Sequence, residues 1–139
     1  MERITKYDIA LSFAGENREY VDMVARLLKE KGISVFYDSF EKANMWGKDL
    51  YQYLTDIYRN KALFSIIFMS EAYKKKLWTM NVELKAMQAR AFEENKEYIL
   101  PVRFDDVEVD GVLPTTGYLD LREMPPEQLV SLIEEKLIL

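Results

Sequence analysis

One acidic side chain, Glu83, is the sole acid in a helical stretch, KLWTMNVELKAMQARAF, at residues 76–92. A carboxylate in such a stretch is a solvated helix residue, a helix cap or a group that does chemistry. The chain contains no histidine and no cysteine. This composition excludes a Ser-His-Asp triad, a thiol nucleophile and a typical zinc site. Acid–base or electrostatic catalysis therefore depends on Asp, Glu, Lys or Tyr.

The position of Glu83 on its predicted helix separates these alternatives. The apolar residues of the helix recur at i, i+4, i+7 and i+11, namely Met80, Leu84, Met87 and Ala91. Glu83 borders this apolar face, which predicts a partly desolvated carboxylate. A capping box that starts at Thr79 would need an acid at position 82, but that residue is Val82. A solvated residue and a functional carboxylate remain as alternatives.

The composition predicts one globular domain over residues 1–139. The chain is 49% hydrophobic and 31% charged, and its net charge of −5 argues against a nucleic-acid partner. The longest apolar run, ALFSIIFM, has the length of a strand, so we expect no membrane partner. The first residues, MERITKYD, lack the apolar core of a signal peptide. These features together favour a cytoplasmic location.

Strand-like and helix-like segments alternate along the chain. Five β-rich runs are predicted at residues 7–13, 33–38, 62–70, 98–104 and 118–121. The fourth run contains Pro101, which weakens it as a strand because proline cannot donate to a ladder. Alternation of this kind predicts right-handed crossovers and an α/β fold with a parallel sheet. The expected architecture is flavodoxin-like, with helices on both faces and strand order 2-1-3-4-5.

Helices are predicted between these strands. The first ends in KEKG, which supplies a glycine just past the helix terminus. A second follows a polar loop, SFEKANMWG, at residues 39–47, and a third carries Glu83. The last, PPEQLVSLIEEKLIL, begins with proline and closes the chain.

Ligands of open α/β folds bind beyond the carboxyl ends of the strands. The residues at that edge are Phe13, Ala14, Gly15, Asp38, Ser70, Phe104, Asp105 and Asp106. The helix of Glu83 follows Ser70 closely, so its first turns can return over this edge. The topology therefore permits a site that includes Glu83.

Four segments in order resemble the successive boxes of a bacterial-type Toll/interleukin-1 receptor (TIR) domain. They are YDIALSFAGENREYV, GISVFYDSFEKANMWGKDL, FMSEAYKKKLWTMNVEL and YILPVRFDD. The resemblance extends from about Tyr7 to Leu121. It implies one of two functions. Many animal TIR domains are adaptors that associate through the loop after the second strand, whereas many bacterial and plant ones break the nicotinamide–ribose bond of NAD+.

The resemblance implies a catalytic role for Glu83. Enzymatic TIR domains carry a glutamate shortly after a tryptophan on the helix that follows the third strand, and here these residues are Trp78 and Glu83. The spacing is five residues, whereas four is usual in the family, and we interpret this as one extra residue near Met80. The implied carboxylate binds ribose hydroxyls and stabilises positive charge on the ribose ring. Such a reaction needs no metal and no cofactor, since NAD+ is its substrate.

The same resemblance implies substrate-binding roles for residues near the sheet edge. Phe13 and Ala14 are expected near the nicotinamide-bearing ribose, although core packing is an alternative for Phe13. Arg18 and Lys48 are candidates for phosphate contacts, with solvated helix residues as the alternative. Asp38 ends the second strand and either binds substrate or caps the loop.

Aromatic and hydroxyl side chains complete the predicted site. Trp46, in the polar loop, is either a lid over an aromatic ring or a contact between molecules. Ser70 and Tyr73 lie at the end of the third strand. Trp78 is expected to support the wall of the pocket.

The resulting hypothesis is an NAD+ glycohydrolase or cyclase of antiphage defence, similar to Thoeris-like TIR proteins. Its expected partners are NAD+, further TIR copies and a separate effector protein that responds to the product. The alternative is a non-catalytic adaptor or mimic that acts by TIR–TIR association. A receiver or nucleotide-binding protein lacks support, because there is no Gly-rich phosphate loop and no acidic pair after the first strand.

Overall fold

The computed structural model describes residues 5–94 and 97–139. Its sheet has five parallel strands in the order β2-β1-β3-β4-β5. The strands are β1 (Tyr7–Ser12), β2 (Val35–Phe36), β3 (Ala62–Met69), β4 (Ile99–Arg103) and β5 (Leu119–Asp120). The predicted fold class and strand order are confirmed.

Six α-helices are found in the described ranges. They are α1 (Arg18–Glu30), α2 (Lys42–Met45), α3 (Leu50–Asp56), α4 (Glu71–Lys76), α5 (Val82–Glu94) and α6 (Pro126–Ile138). A π-helical turn, Ile57–Lys61, joins α3 directly to β3. None of these helices is long and apolar enough to span a bilayer.

The core has one layer on each face of the sheet, and β1 contributes to both. Ile9 and Leu11 of β1 pack with buried residues of α1 and α6. Ala10 faces the other layer, with buried residues of α3 and α5. Because side chains alternate along a strand, Ser12 points to the same side as Ala10. This alternation directs the Ser12 hydroxyl towards α5.

The predicted polar loop at residues 39–47 contains helix α2, so that interpretation was wrong for Lys42–Met45. The prediction of one continuous helix over residues 76–92 was also wrong. Helix α4 ends at Lys76, a turn follows, and α5 begins at Val82. Backbone bonds from Trp78 and Thr79 reach back to the end of α4, at 3.1 and 3.0 Å. Trp78 and Glu83 therefore belong to different structural elements.

Pro101 lies within β4 without breaking the sheet. Alternate residues of the strand direct their backbone groups to opposite neighbours: Phe104 bonds to Met69 of β3, and Arg103 accepts from Leu121 beyond β5. The backbone groups of Pro101 point in the same direction as those of Arg103, towards β5. Pairing with β5 starts only at Val102. The missing N–H therefore lies beyond the short ladder that β5 forms.

Candidate active site

Glu83 is the second residue of α5, and its side chain is 14% exposed. Its Oε1 accepts a hydrogen bond of 2.7 Å from the Ser12 hydroxyl at the carboxyl end of β1. The first turn of a helix favours negative charge, because its backbone N–H groups have no intrahelical partners. At 14% exposure the carboxylate is mostly withdrawn from water, as the predicted position of Glu83 at the border of the apolar face indicated.

Three hydroxyl groups are buried around this carboxylate. Ser12 and the Tyr73 phenol are 2.6 Å apart, and the Tyr58 phenol donates to the Leu11 carbonyl oxygen at 2.5 Å. Burial raises the pKa of both tyrosines well above the ordinary value, and the negative charge of Glu83 raises each pKa further. Both phenols therefore remain protonated donors at neutral pH.

Lys76, the last residue of α4, approaches the other carboxylate oxygen. Its Nζ lies 3.5 Å from Glu83 Oε2 and donates to the Phe13 carbonyl oxygen at 2.8 Å. The Lys76 side chain is 25% exposed. The two oxygens of Glu83 thus have different environments, a neutral hydroxyl on one and an ammonium group on the other.

A cavity of about 270 Å³ opens beside Glu83. Its lining residues come from the surroundings of Glu83 and from the ends of β1 and β2. They are Leu11, Phe13, Gly15, Arg18, Phe36, Asp38, Met45, Leu50, Leu54, Tyr58, Lys76, Met80 and Glu83. A second cavity, of about 620 Å³, shares Arg18, Asp38, Met45 and Leu50 with the first. The second cavity extends to Lys42 and Trp46. The shared residues make the two cavities parts of one groove.

An ion pair stands at the junction of the two cavities. Arg18 donates to both Asp38 oxygens at 2.9 Å, to Ser39 at 2.8 Å and to the Tyr37 hydroxyl at 3.2 Å. Its guanidinium also lies 5.0 Å from the centre of the Phe13 ring. The hydrogen bond to Asp38 raises the pKa of Arg18. Burial raises the pKa of Asp38, but the hydrogen bonds and charge of Arg18 and the hydrogen bonds of Ser39 together outweigh it and hold that pKa below its ordinary value.

Five of the predicted site residues line this groove: Phe13, Arg18, Asp38, Trp46 and Glu83. Tyr73 lies behind the carboxylate and reaches it through Ser12. These residues come from β1, α1, α4, α5 and the segment after β2, so the fold gathers them at the predicted edge of the sheet.

The remaining predicted residues lie away from the groove lining. Ala14 is buried in the core, and Ser70 caps α4 by accepting from the Tyr73 N–H at 3.0 Å. Lys48 donates to Asn44 at 2.7 Å and lies over a tyrosine ring. Trp78 is 87% exposed and lines a separate depression with Lys74 and Leu77. The expected support of the pocket wall by Trp78 is therefore not found.

Three residues of the site were not predicted as site residues from the sequence, namely Ser12, Tyr58 and Lys76. Ser12 had a usable signal, since it is the polar residue at the carboxyl end of a buried strand. Tyr58 and Lys76 had none, because a helical tyrosine and one lysine of a KKK run look like ordinary core and surface residues. Within the described part of the chain, no group of three or more acids is placed to hold a metal ion.

Comparison with known proteins identifies the family. A family model for the TIR domain matches residues 9–133. The chain belongs to the TIR domain family. This membership confirms the resemblance found in the sequence.

Two relatives of this TIR domain carry names that describe an activity. It is 60% identical over 135 residues to the 3′ cyclic ADP-D-ribose synthase AaTIR of Aquimarina amphilecti, covering 97% of this chain and 41% of that protein. It is 29% identical over 138 residues to the probable 2′ cyclic ADP-D-ribose synthase TcpO of Methanobrevibacter olleyae, covering 95% and 39%. The TIR domain thus spans about two fifths of the length of each relative.

Solved structures show the same fold at low identity. The TIR domain of the Toll-related receptor TRR-2 from Hydra magnipapillata superposes with a TM-score of 0.66 at 22% identity, covering 93% of this chain and 99% of that one. A TIR-STING receptor from C. gigas gives a TM-score of 0.70 at 14% identity, covering 96% and 41%. These matches concern the fold alone.

Proposed function

We propose that this TIR domain cleaves the nicotinamide–ribose bond of NAD+ and closes the remaining ADP-ribosyl group into 3′ cyclic ADP-D-ribose. The observation that carries the proposal is the Glu83 carboxylate, 14% exposed and held by Ser12 on the wall of a groove. The 60% identity to a relative named for this product supports the choice of isomer.

The chemistry follows from the charge of the substrate. Nicotinamide in NAD+ is already cationic, so it leaves as a neutral molecule with the bonding electrons and needs no protonation. Positive charge then develops on the ribose ring, and a fixed carboxylate in a site of low water content stabilises it. Glu83 fits this role better than Asp38, because Asp38 is neutralised by two hydrogen bonds from Arg18. No resident cofactor or metal enters this scheme.

Ring closure completes the reaction. A hydroxyl of the same dinucleotide attacks the ribosyl carbon and releases its proton to Glu83 or to solvent. The balance is one NAD+ converted into nicotinamide, cyclic ADP-ribose and one proton. Capture by water at the same step would give ADP-ribose, so the shape of the groove decides between cyclisation and hydrolysis.

The groove suggests how the dinucleotide lies. The nicotinamide-bearing ribose occupies the smaller cavity, beside Glu83 and Phe13. The diphosphate lies near Arg18, at the junction of the two cavities. The adenine extends towards Trp46, whose 89% exposed ring offers a stacking surface. This arrangement holds both ribose groups within one groove, which keeps the attacking hydroxyl near the ribosyl carbon.

The biological setting is part of the same proposal. The cyclic product serves as a signal in antiphage defence and is read by a separate effector protein, as the resemblance to Thoeris-like TIR proteins implies. Association between TIR copies uses the exposed ring of Trp78, which lies outside the groove.

The test is to incubate the purified chain at high concentration with NAD+ and identify the products by mass spectrometry. Glu83→Gln is expected to lower nicotinamide release by about 100-fold or more, because it removes the charge that stabilises the transition state. Glu93→Gln is the matched control, since Glu93 lies on the same helix and pairs with Arg59 at the surface. Turnover retained in Glu83→Gln would refute the assignment. A concentrated, inactive wild-type chain would favour the adaptor function.

A further inference from the structure

Ser12 is a fully buried polar side chain that touches the proposed catalytic group. Its side chain is 0% exposed, it ends β1, and its hydroxyl donates to Glu83 Oε1 at 2.7 Å. The two residues are 71 positions apart in the chain. A buried hydroxyl loses its hydrogen bonds to water, which is unfavourable. The hydrogen bond to the Glu83 carboxylate compensates for that loss.

The hydrogen bonds around Ser12 have a defined direction. An ionised carboxylate only accepts, so the single Ser12 proton points at Glu83. Ser12 must then accept from the Tyr73 hydroxyl, 2.6 Å away. Tyr73 is 1% exposed and lies on α4. The chain of donors thus runs from Tyr73 to Ser12 to Glu83, and each donor strengthens the next.

We propose that Ser12, supported by Tyr73, is a positioning residue that sets the rotation of the Glu83 carboxylate and so presents Oε2 to the cavity. This inference rests on the proposed function, in which Glu83 acts on the substrate. The last torsion of a glutamate side chain is broad, so a contact is needed to hold one rotation. Lys76 lies 3.5 Å from Oε2, at the limit of a hydrogen bond, so the Ser12 hydroxyl at 2.7 Å makes the shorter contact.

Fixed orientation matters for this reaction because the stabilised charge is short-lived. A carboxylate that must reorient as the ribosyl cation forms loses much of its electrostatic effect. Substrate binding in the ground state depends much less on that rotation. Loss of the contact is therefore expected to lower kcat with little change in KM.

The neighbouring strand offers a matched control. Ser65 on β3 is also 0% exposed, and it donates to the Tyr98 hydroxyl at 2.7 Å. This second serine–tyrosine pair resembles the first in burial and geometry but makes no contact with Glu83. A general effect of removing a buried hydroxyl should appear equally in both pairs.

The experiment compares Ser12→Ala with Ser65→Ala, and Tyr73→Phe with Tyr98→Phe, in NAD+ turnover. Ser12→Ala is expected to lower kcat about 10- to 100-fold with KM within about twofold, the range for a hydrogen bond to a charged group. Tyr73→Phe is expected to lower kcat several-fold, and it serves if Ser12→Ala does not fold. Ser65→Ala and Tyr98→Phe should stay within about twofold of the wild-type kcat.

A further readout distinguishes positioning from loss of structure. Ser12→Cys, which keeps a weak donor, should recover part of the activity that Ser12→Ala loses. Equal kcat losses in Ser12→Ala and Ser65→Ala, or a loss in Ser12→Ala that appears in KM and not in kcat, would overturn the inference.

The test of the Ser12 contact can be separated from the test of the proposed function. If the wild type is active and Glu83→Gln is not, the function stands whatever Ser12→Ala does. If the wild type does not turn over NAD+, crystal structures of Ser12→Ala and Ser65→Ala decide the inference without catalysis. The Glu83 carboxylate should change its rotation in Ser12→Ala and keep it in Ser65→Ala, and an unchanged rotation in both would reject the contact.

Discussion

Lys76 Nζ lies 3.5 Å from Glu83 Oε2, on the wall of the cavity in which the proposed reaction takes place. The ammonium is held there by the Phe13 carbonyl oxygen at the end of β1. Both side chains are largely withdrawn from water, so their charges are weakly screened. The positive charge of Lys76 opposes the cation that develops on the substrate. Lys76 therefore offsets part of the stabilisation that Glu83 gives to that cation.

The first prediction concerns the charge of Lys76. Lys76→Met should raise kcat for NAD+ turnover at pH 7 by about threefold, because the ammonium group no longer opposes the cation on the substrate. Lys75→Met is the control, since Lys75 is the preceding residue of α4 and is exposed. Steady-state rates at pH 7 would measure the change. Equal kcat values for the two variants would show that Lys76 does not act on the reaction.

The second prediction separates the two exposed tryptophans. Trp46 lines the groove, whereas Trp78 lines a separate depression. Trp46→Ala should raise KM for NAD+ about 10-fold, since stacking on a base contributes about 1–3 kcal/mol. Trp78→Ala should leave KM unchanged when measured at one fixed protein concentration. Because both rings are more than 80% exposed, neither change should lower the free energy of unfolding by more than about 0.5 kcal/mol.

An unchanged KM in Trp46→Ala would remove that residue from the substrate site. A loss of activity in both variants that is restored at higher protein concentration would instead assign the rings to contacts between copies.

The third prediction is a pH dependence of stability from Asp38. The folded protein holds the pKa of Asp38 below its ordinary value, because the hydrogen bonds and charge of Arg18 and the hydrogen bonds of Ser39 together outweigh burial. The resulting stabilisation is complete above the unfolded pKa and is lost as the pH falls through the lower folded pKa. Asp38→Asn should thus lower the melting temperature at pH 7, and its difference from wild type should shrink at pH 3.

The expected size of this effect is small. Both side chains of the ion pair are about 40% exposed, so water screens them and the contribution at pH 7 is about 0.2–1 kcal/mol. Thermal unfolding at pH 7, 5 and 3 would measure it. Asp110→Asn is the control, because Asp110 is exposed. A gap for Asp38→Asn that stays constant down to pH 3 would contradict the prediction.

The fourth prediction concerns the end of α1. Gly32 has φ +77°, its N–H donates to Lys29, and the next N–H, of Ile33, donates to Leu28. This is the Schellman arrangement, which favours glycine because other residues are strained there. A Cβ at Gly32 would meet no atom within 4 Å. Gly32→Ala should therefore show the conformational cost alone, about 1 kcal/mol.

Gly117 provides the control for this change. A Cβ there also meets nothing within 4 Å, and its φ lies outside the left-handed region. Gly117→Ala should leave stability unchanged or slightly higher, since it restricts the unfolded chain. Thermal unfolding should show a drop of about 3 °C for Gly32→Ala alone. Equal melting temperatures would mean that α1 does not depend on its glycine cap.

The strands and their order were predictable because their signals are local. Apolar runs such as ALFSIIFM favour a buried strand, alternation with helices favours a parallel sheet, and five such strands are typical of the flavodoxin-like order. The edge that holds Phe13, Asp38 and Ser70 followed from that order alone. Helix α2 was missed because its four residues lie between turn-forming ones and carry no helical period.

The pairings within the site were not predictable in the same way. The period of the Glu83 helix indicated a half-buried carboxylate, but no local pattern links it to Ser12 or Lys76. The break between α4 and α5 also removed Trp78 from the groove, although the sequence places it five residues from Glu83. Distance along the chain was therefore a poor guide to membership of the site.

By itself the sequence predicted the strands and most of the helices, the edge at which the strands end and Glu83 as the candidate catalytic acid. Only the tertiary structure decided which side chains meet that acid. The physical reason is that backbone periodicity depends on neighbouring residues, whereas the Ser12–Glu83 bond joins residues 71 positions apart and exists only once β1, α4 and α5 have packed together.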